Sequence, residues 1–484
     1  MKRLTWFPLA LALLAPPGPA GAAPVAAPSP SPSPYVPQVR QIPVPPPIEM
    51  PGPTLKVPAS ALEPLTADEA ARIALANHPD VGMAAAALKA AEGRTQQARV
   101  GLNPRLRLSG SYTDNLWLET SPARTASASL PGATGALGGF GDSNSASATA
   151  SQLLYDFGYT RGLVRQAEQL ESAAGANVTR VQADLVLAVK GAFYNYVQTS
   201  RLVEVAEQNL ANQREHHEQA QGRFQAGIGL PADVARSETA VSQAIFNLTQ
   251  ARNDAANARV SLALLMGIDP RTPLQAAEGD EPAPDTTSGE IFFNQALDNR
   301  PELAQARAQV RAWEAGLDAA HSTSTPMLTA SVGYSRTGQA TFGLDQVNLG
   351  LGLNFDLVDG GLRAGKVKEA RGNLASSEAQ MEATRQRVVA EVARAWLALQ
   401  TAQQRLTAAE AQESNAQETL RLATGRYKAG LGILLDVLDA QQALVTASTN
   451  RVNARTALNQ ARATLNHAIG SPLAGGLPPG PQVP

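Results

Sequence analysis

Residues 223–234 read RFQAGIGLPADV and residues 426–437 read RYKAGLGILLDV. Arg, an aromatic residue, Ala-Gly, a second Gly and Asp-Val recur in register, 426 − 223 = 203 residues apart. In both places Gly interrupts heptad-patterned sequence where the chain must reverse. Asp233 or Asp436 then opens the returning helix, where a carboxylate suits the positive end. Each stretch reads as the tip of a helical hairpin, so the chain is expected to build two of them, with tips at about 226–233 and 429–436.

The repetition extends outward from the tips. ALANHPDV (from Ala74) aligns with ALDNRPEL (from Ala296) at an offset of 296 − 74 = 222, and Thr66/Ser288, Pro104/Pro326 and Tyr112/Tyr334 share that offset. Asp156-Phe157-Gly158 matches Asp359-Gly360-Gly361, and Gly267 matches Gly470, at the tip offset. The chain therefore reads as two repeats, 65–270 and 287–472, joined by a linker at 271–286. The first carries 222 − 203 = 19 additional residues between Tyr112 and Asp156. Each repeat opens with a capping hydroxyl, Thr66 with Glu69 as a capping box or Ser288 alone. A short helix follows and breaks before Pro79 or Pro301, each suited to the first turn of the next helix.

Between the helices the hydrophobic period changes to two. Leu106, Leu108 and Tyr112 fall on one face of a predicted strand, and Arg105, Arg107, Ser109, Ser111 and Thr113 on the other. The second copy repeats this parity, with Leu328, Ala330, Val332 and Tyr334 against Thr329, Ser331, Gly333 and Ser335. The return strand sets Leu349, Leu351, Leu353, Phe355 and Leu357 against Asn348, Gly350, Gly352, Asn354 and Asp356. Its counterpart, SASATASQLL, is weaker because Gln152 intrudes on the apolar parity. Two β-hairpins are thus predicted, at about 104–155 and 326–357, with the length and dyad pattern of membrane strands. Proline-free helices follow them. Val186, Val189, Phe193, Tyr196 and Val203 keep heptad spacing, as do Val389, Val392, Trp396, Leu399 and Leu406 one repeat later. A helix from 163 to 225 would run about 95 Å, the length of a tube wall rather than of a compact domain.

Composition excludes several classes of function. A formal charge of −2 with 17% charged residues leaves no basic excess for nucleic acid. With no cysteine there is no disulfide, thiolate nucleophile, Cys-bound zinc or lipid-modified N-terminal Cys. Residues 1–23 read as a signal peptide, 24–64 as a Pro-rich linker and 473–484 as a flexible tail. Beyond the leader no run approaches 18 apolar residues, so the mature chain either avoids membranes or crosses one as a β-barrel.

In the order and duplication of ALANHPDV, LLYDFG, RFQAGIGLPADV and LLMGIDP, with second copies ALDNRPEL, LVDGG, RYKAGLGILLDVLDA and HAIGSP, the chain resembles the outer-membrane efflux protein family. These are the TolC-like channels of tripartite pumps and type I secretion. The resemblance implies a mainly α fold with a β-barrel. Duplicated antiparallel coiled-coil hairpins would form an α-barrel, and four membrane strands per protomer would complete a 12-stranded barrel in a homotrimer. It also implies a periplasmic adaptor and an inner-membrane transporter as partners, with outer-membrane lipid around the strands and a helical tunnel in the periplasm. Ala226, Gly227, Ile228, Ala429, Gly430 and Leu431 are then the adaptor-docking tips, and Asp233, Tyr427, Asp436 and Asp439 the periplasmic entrance. Gly432 stands where some relatives carry an Arg that helps lock the entrance. The alternative reading is a periplasmic coiled-coil scaffold or pump adaptor without a channel. No enzyme, cofactor or metal motif is present, and His78, His216, His217, His321 and His467 read as scattered and solvated.

Overall fold

The computed structural model describes residues 43, 44, 46, 64–113, 143–277, 279–283, 289–339, 342–473 and 476. The expected leader lies outside them, as do most of the Pro-rich segment, Ser288, residues 114–142 of the first β-hairpin and most of the tail.

The elements are α1 (Ala67–Asn77), α2 (Pro79–Arg99), β1 (Arg105–Thr113), β2 (Ser143–Tyr155), α3 (Tyr159–Gln225) and α4 (Pro231–Leu265), then α5 (Gly289–Asn299), α6 (Pro301–His321), β3 (Met327–Gln339), β4 (Phe342–Asn354), α7 (Leu362–Lys428) and α8 (Leu434–Ala468). The second six repeat the first six in kind and order. Local chemistry sets the boundaries. The Glu69 amide donates to Thr66 Oγ1 (3.3 Å) and the Thr66 amide to Glu69 Oε2 (2.8 Å), a complete capping box. His78 closes α1 and caps α2, its Nδ1 accepting from the Asp80 amide at 3.2 Å, with Pro79 in the first helical turn. At each strand-to-helix corner an Asp satisfies amides of the new helix: Asp156 accepts from Gly158 and Thr160, Asp359 from Gly361 and Arg363.

α3 and α7 are 67 residues each, about 100 Å long, and α4 and α8 are 35. Toward the tips the helices pack in the order α4–α3–α8–α7, and toward the strands in the order α2–α3–α6–α7. Val186, Val189 and Phe193 bury with α1 and the end of α4, while Leu210 buries with Ala244, Ile245 and Leu248 of α4. In the second repeat Val392 and Leu399 take the expected seam. Val388 rather than Val389 is the buried valine, because α5 and α8 meet α7 on that side. The linker is docked: Leu65 bridges Ala276, and Glu281, 2% exposed, is held by Lys190 and Tyr194 of α3 and by Asn466 of α8.

The strands form one antiparallel sheet in the order β1-β2-β3-β4. Its register gathers Leu108, Ala148, Tyr334 and Val347, and likewise Leu106, Ala150, Val332 and Leu349, on one face. Ser109, Ser147, Ser335 and Gln346 share the other, with Ser109 and Ser147 hydroxyls 2.7 Å apart. Gln152 sits on the apolar parity because its amide donates to the Leu102 and Leu153 carbonyls. A register shift between Leu153 and Tyr155 turns Tyr155 opposite Leu328, onto the apolar face, where its ring meets Phe157 edge-on at 4.7 Å. β4 ends at Asn354, so Phe355 and Leu357 lie beyond the ladder rather than in it.

Candidate functional site

The two tips lie side by side. At the first, the Gly227 amide donates to the Phe224 carbonyl (2.9 Å) and the Ile228 amide to that of Arg223 (3.0 Å), with Gly227 at φ +76°. At the second, Gly430 donates to Tyr427 and Leu431 to Arg426 at 3.0 and 2.9 Å, with Gly430 at φ +75°. Both are Schellman turns, which need a left-handed residue where only glycine is unstrained. The motif leaves Ile228 and Leu431 pointing outward, 71% and 76% exposed, beside exposed Ala226 and Ala429. The glycines at 229 and 432 differ. A Cβ on Gly229 would lie 2.6 Å from the Phe224 amide nitrogen, whereas one on Gly432 would meet Arg426 Cβ at 3.2 Å.

One arginine ties the tips together. Arg223 Nη1 donates to the Tyr427 carbonyl at 2.8 Å, and its guanidinium lies 4.8 Å over the Tyr427 ring. Tyr427 is 5% exposed and packs with Ala220, Leu434 and Val437. Burial raises its hydroxyl pKa; Arg223 opposes this, and the nearby Asp233 charge adds to it. Lys428 approaches Glu215 at 3.6 Å across the same seam. Asp233 is half-buried in the first turn of α4, and Asp436 holds the equivalent place in α8. Asp436 and Asp439 are both exposed, one turn apart. Among the described residues none of the three carboxylates has a hydrogen bond or ion pair. They are not the caps: those positions are Leu230 and Ile433, without side-chain cap bonds.

The structure corrects the expectation of solvated histidines. His216 is 5% exposed on α3, with both ring nitrogens unpartnered. Burial lowers its pKa; Glu215 opposes this and Lys428 reinforces it. His467 Nε2 lies 3.1 Å from Asp184, beside Arg300, which is bound to Glu391 at 2.7 Å. Among the described residues no group of three or more His, Cys, Asp or Glu could hold a metal ion. Arg223 itself was visible in the repeat as the first letter of each tip. Only its partner 204 residues away was not.

This architecture, paired helical hairpins under a four-stranded sheet, defines a class of envelope channel. The chain matches the sequence model of the outer membrane efflux protein family over residues 70–268 and 292–471 and belongs to that family. It is 27% identical to protein CyaE of Bordetella pertussis, covering 82% of both chains. It is 29% identical to the pyoverdine export outer membrane protein OpmQ of Pseudomonas aeruginosa, covering 82% of this chain and 83% of that one. Its fold superposes on the outer membrane protein VceC from Vibrio cholerae with a TM-score of 0.70 at 23% identity, covering 84% and 96%. The chain is an outer-membrane channel-tunnel that lets substrates of a tripartite efflux pump or type I secretion system leave the periplasm, its helices forming the periplasmic tunnel. The reading as a scaffold or adaptor without a channel is set aside. The family is one of channels rather than enzymes.

Proposed function

We propose that three copies close into one channel whose periplasmic entrance is the ring of paired tips. The tips receive a periplasmic adaptor that links the channel to an inner-membrane transporter. The carrying observation is that both layers of the protomer end in open edges. Among the described residues β1 and β4 each pair on one side only, and α4 and α7 end the row of tunnel helices. In lipid an unpaired strand edge strands its amides and carbonyls. Four strands cannot close alone, and eight would leave an interior filled by side chains. Twelve, from three copies of four, leave a lumen. In the same reading 1–23 is an export leader, and the repeats 65–270 and 287–472 each supply one hairpin of tunnel and one of barrel.

Ala226, Gly227, Ile228, Ala429, Gly430 and Leu431 form the docking surface of this assembly. Asp233, Asp436 and Asp439 ring its entrance, and Tyr427 packs behind them. Carboxylates without cation partners, tripled about one axis, attract cations. Replacing Asp436 and Asp439 by Asn is expected to reduce cation selectivity and to remove block by trivalent cations in planar bilayers, with the trimer intact. Unchanged selectivity and block would place the constriction elsewhere.

A further inference from the structure

Arg105 and Arg107 stand at the helix-proximal end of β1, on the face opposite Leu106 and Leu108. The register sets Arg105, Ser151, Ser331 and Gly350 in one row across the sheet, and Arg107, Thr149, Gly333 and Asn348 in the next. Each row contains one charge. Both arginines are exposed, and among the described residues neither guanidinium has a hydrogen bond, ion pair or ring contact. Arg336, the other arginine of the sheet, lies on the apolar face and faces Asp345 at 3.8 Å. Among the described residues the polar face carries no carboxylate.

We propose that these two rows form an anion-selecting filter at the base of the barrel, favouring cargo that carries carboxylate, sulfonate or phosphate groups. The inference rests on the trimeric reading above, in which six guanidinium groups face one lumen. Guanidinium stays charged at every physiological pH, and its fork of N–H donors matches planar and tetrahedral oxyanions. A low-dielectric wall focuses the field of such a ring into the lumen. The surrounding lining is hydroxyls, amides and glycines, which offer weak alternative contacts, so bound cargo moves on rather than being trapped. The sign is opposite to that of the aspartates at the tip, so the two ends of the tunnel select differently. An anion that passes a dilated entrance is drawn toward the outer end.

The chain has no cysteine, so one introduced thiol reports on one place. Thr149, the cross-strand partner of Arg107, is exposed on the polar face, and Leu351 is exposed on the other. Thr149→Cys in lipid-reconstituted trimer would be reacted with sulfonatoethyl and with trimethylammonioethyl methanethiosulfonate, each rate being divided by that of a free thiol in solution. The normalised anionic-to-cationic ratio is expected to be about tenfold at low salt. It should approach one in about 1 M salt, where the Debye length is about 3 Å. It should also approach one in R105Q/R107Q and persist in R105K/R107K. Leu351→Cys should resist both reagents. A ratio near one at Thr149→Cys with Leu351→Cys protected overturns the filter and leaves the barrel standing. Equal labelling of both positions overturns the barrel and the filter together. If the Gln variant does not assemble, salt dependence with both arginines present decides.

Discussion

At the scale of single residues, Arg223 does what its counterpart Arg426 does not. Arg426, at the same place in the second tip, is exposed, and among the described residues its guanidinium has no hydrogen bond, ion pair or ring contact. Arg223 makes a charge-assisted bond to a carbonyl and covers a ring, together about 2 kcal/mol. Arg223→Gln is therefore expected to raise channel open probability in planar bilayers by roughly thirtyfold, the factor corresponding to about 2 kcal/mol. Arg426→Gln should leave it unchanged. His216 adds a pH term to the same seam. Its folded pKa lies below the ordinary 6.5, so the unfolded chain takes up the proton first. The stability it allows is complete above 6.5 and is lost as pH falls from there through the depressed folded value. Calorimetric unfolding should show a loss of stability below pH 6.5 that His216→Leu flattens. An unchanged slope in that variant would assign the effect to other groups.

At the scale of elements, the tip turn separates geometry from recognition. Gly229 has no room for a methyl group beside the Phe224 amide, and Gly432 nearly does. Gly229→Ala should lower the thermal midpoint more than Gly432→Ala, since the added methyl would overlap the backbone at 2.6 Å in the first case and meet its nearest neighbour at 3.2 Å in the second. Ile228 and Leu431 are largely exposed and contribute little to the fold of their own chain. Ile228→Asp with Leu431→Asp is expected to abolish export in cells while the purified trimer keeps its midpoint. Retained export together with a melted trimer would reverse that reading and make the side chains structural.

At the scale of the whole molecule, four devices hold the two repeats together: one sheet, the α3·α6 seam, the α3·α8 seam and the linker. Glu281 sits between both hairpins, with Lys190 Nζ at 2.6 Å and the Tyr194 hydroxyl at 2.7 Å from α3. Its amide and carbonyl are bound by Asn459 and Arg462 of α8. The hairpins are thus fastened together far from the tips, where Arg223 fastens them again. Outward, the protomer shows Phe246 of α4 at 66% exposure, on the helix that ends the tunnel row. Burial of such a ring against a neighbouring subunit contributes about 2 kcal/mol per contact. Phe246→Glu is expected to shift purified protein from trimer to monomer in light scattering, and an unaltered trimer would move the subunit seam off this face.

What the sequence determined alone were the features set by neighbours in the chain. Pro79 and Pro301 break helices because of the residue before them. Gly227 and Gly430 turn the chain because they alone reach positive φ without strain. Alternation from Leu106 to Tyr112 assigns strand faces because the pleat has period two. Those rules also yielded the element order and the duplication. Only the tertiary structure decided which of two locally equivalent residues meets a partner. Arg223 and Arg426 stand in matching sentences, yet one is latched and the other free. Glu281 reads as loop and His216 as a solvated helix residue, and both are buried. Tyr155 changes face through a bulge that no alternation announces. Each of these depends on atoms contributed from distant positions or from across the sheet, and a repeated local pattern carries no record of which copy they will pack against.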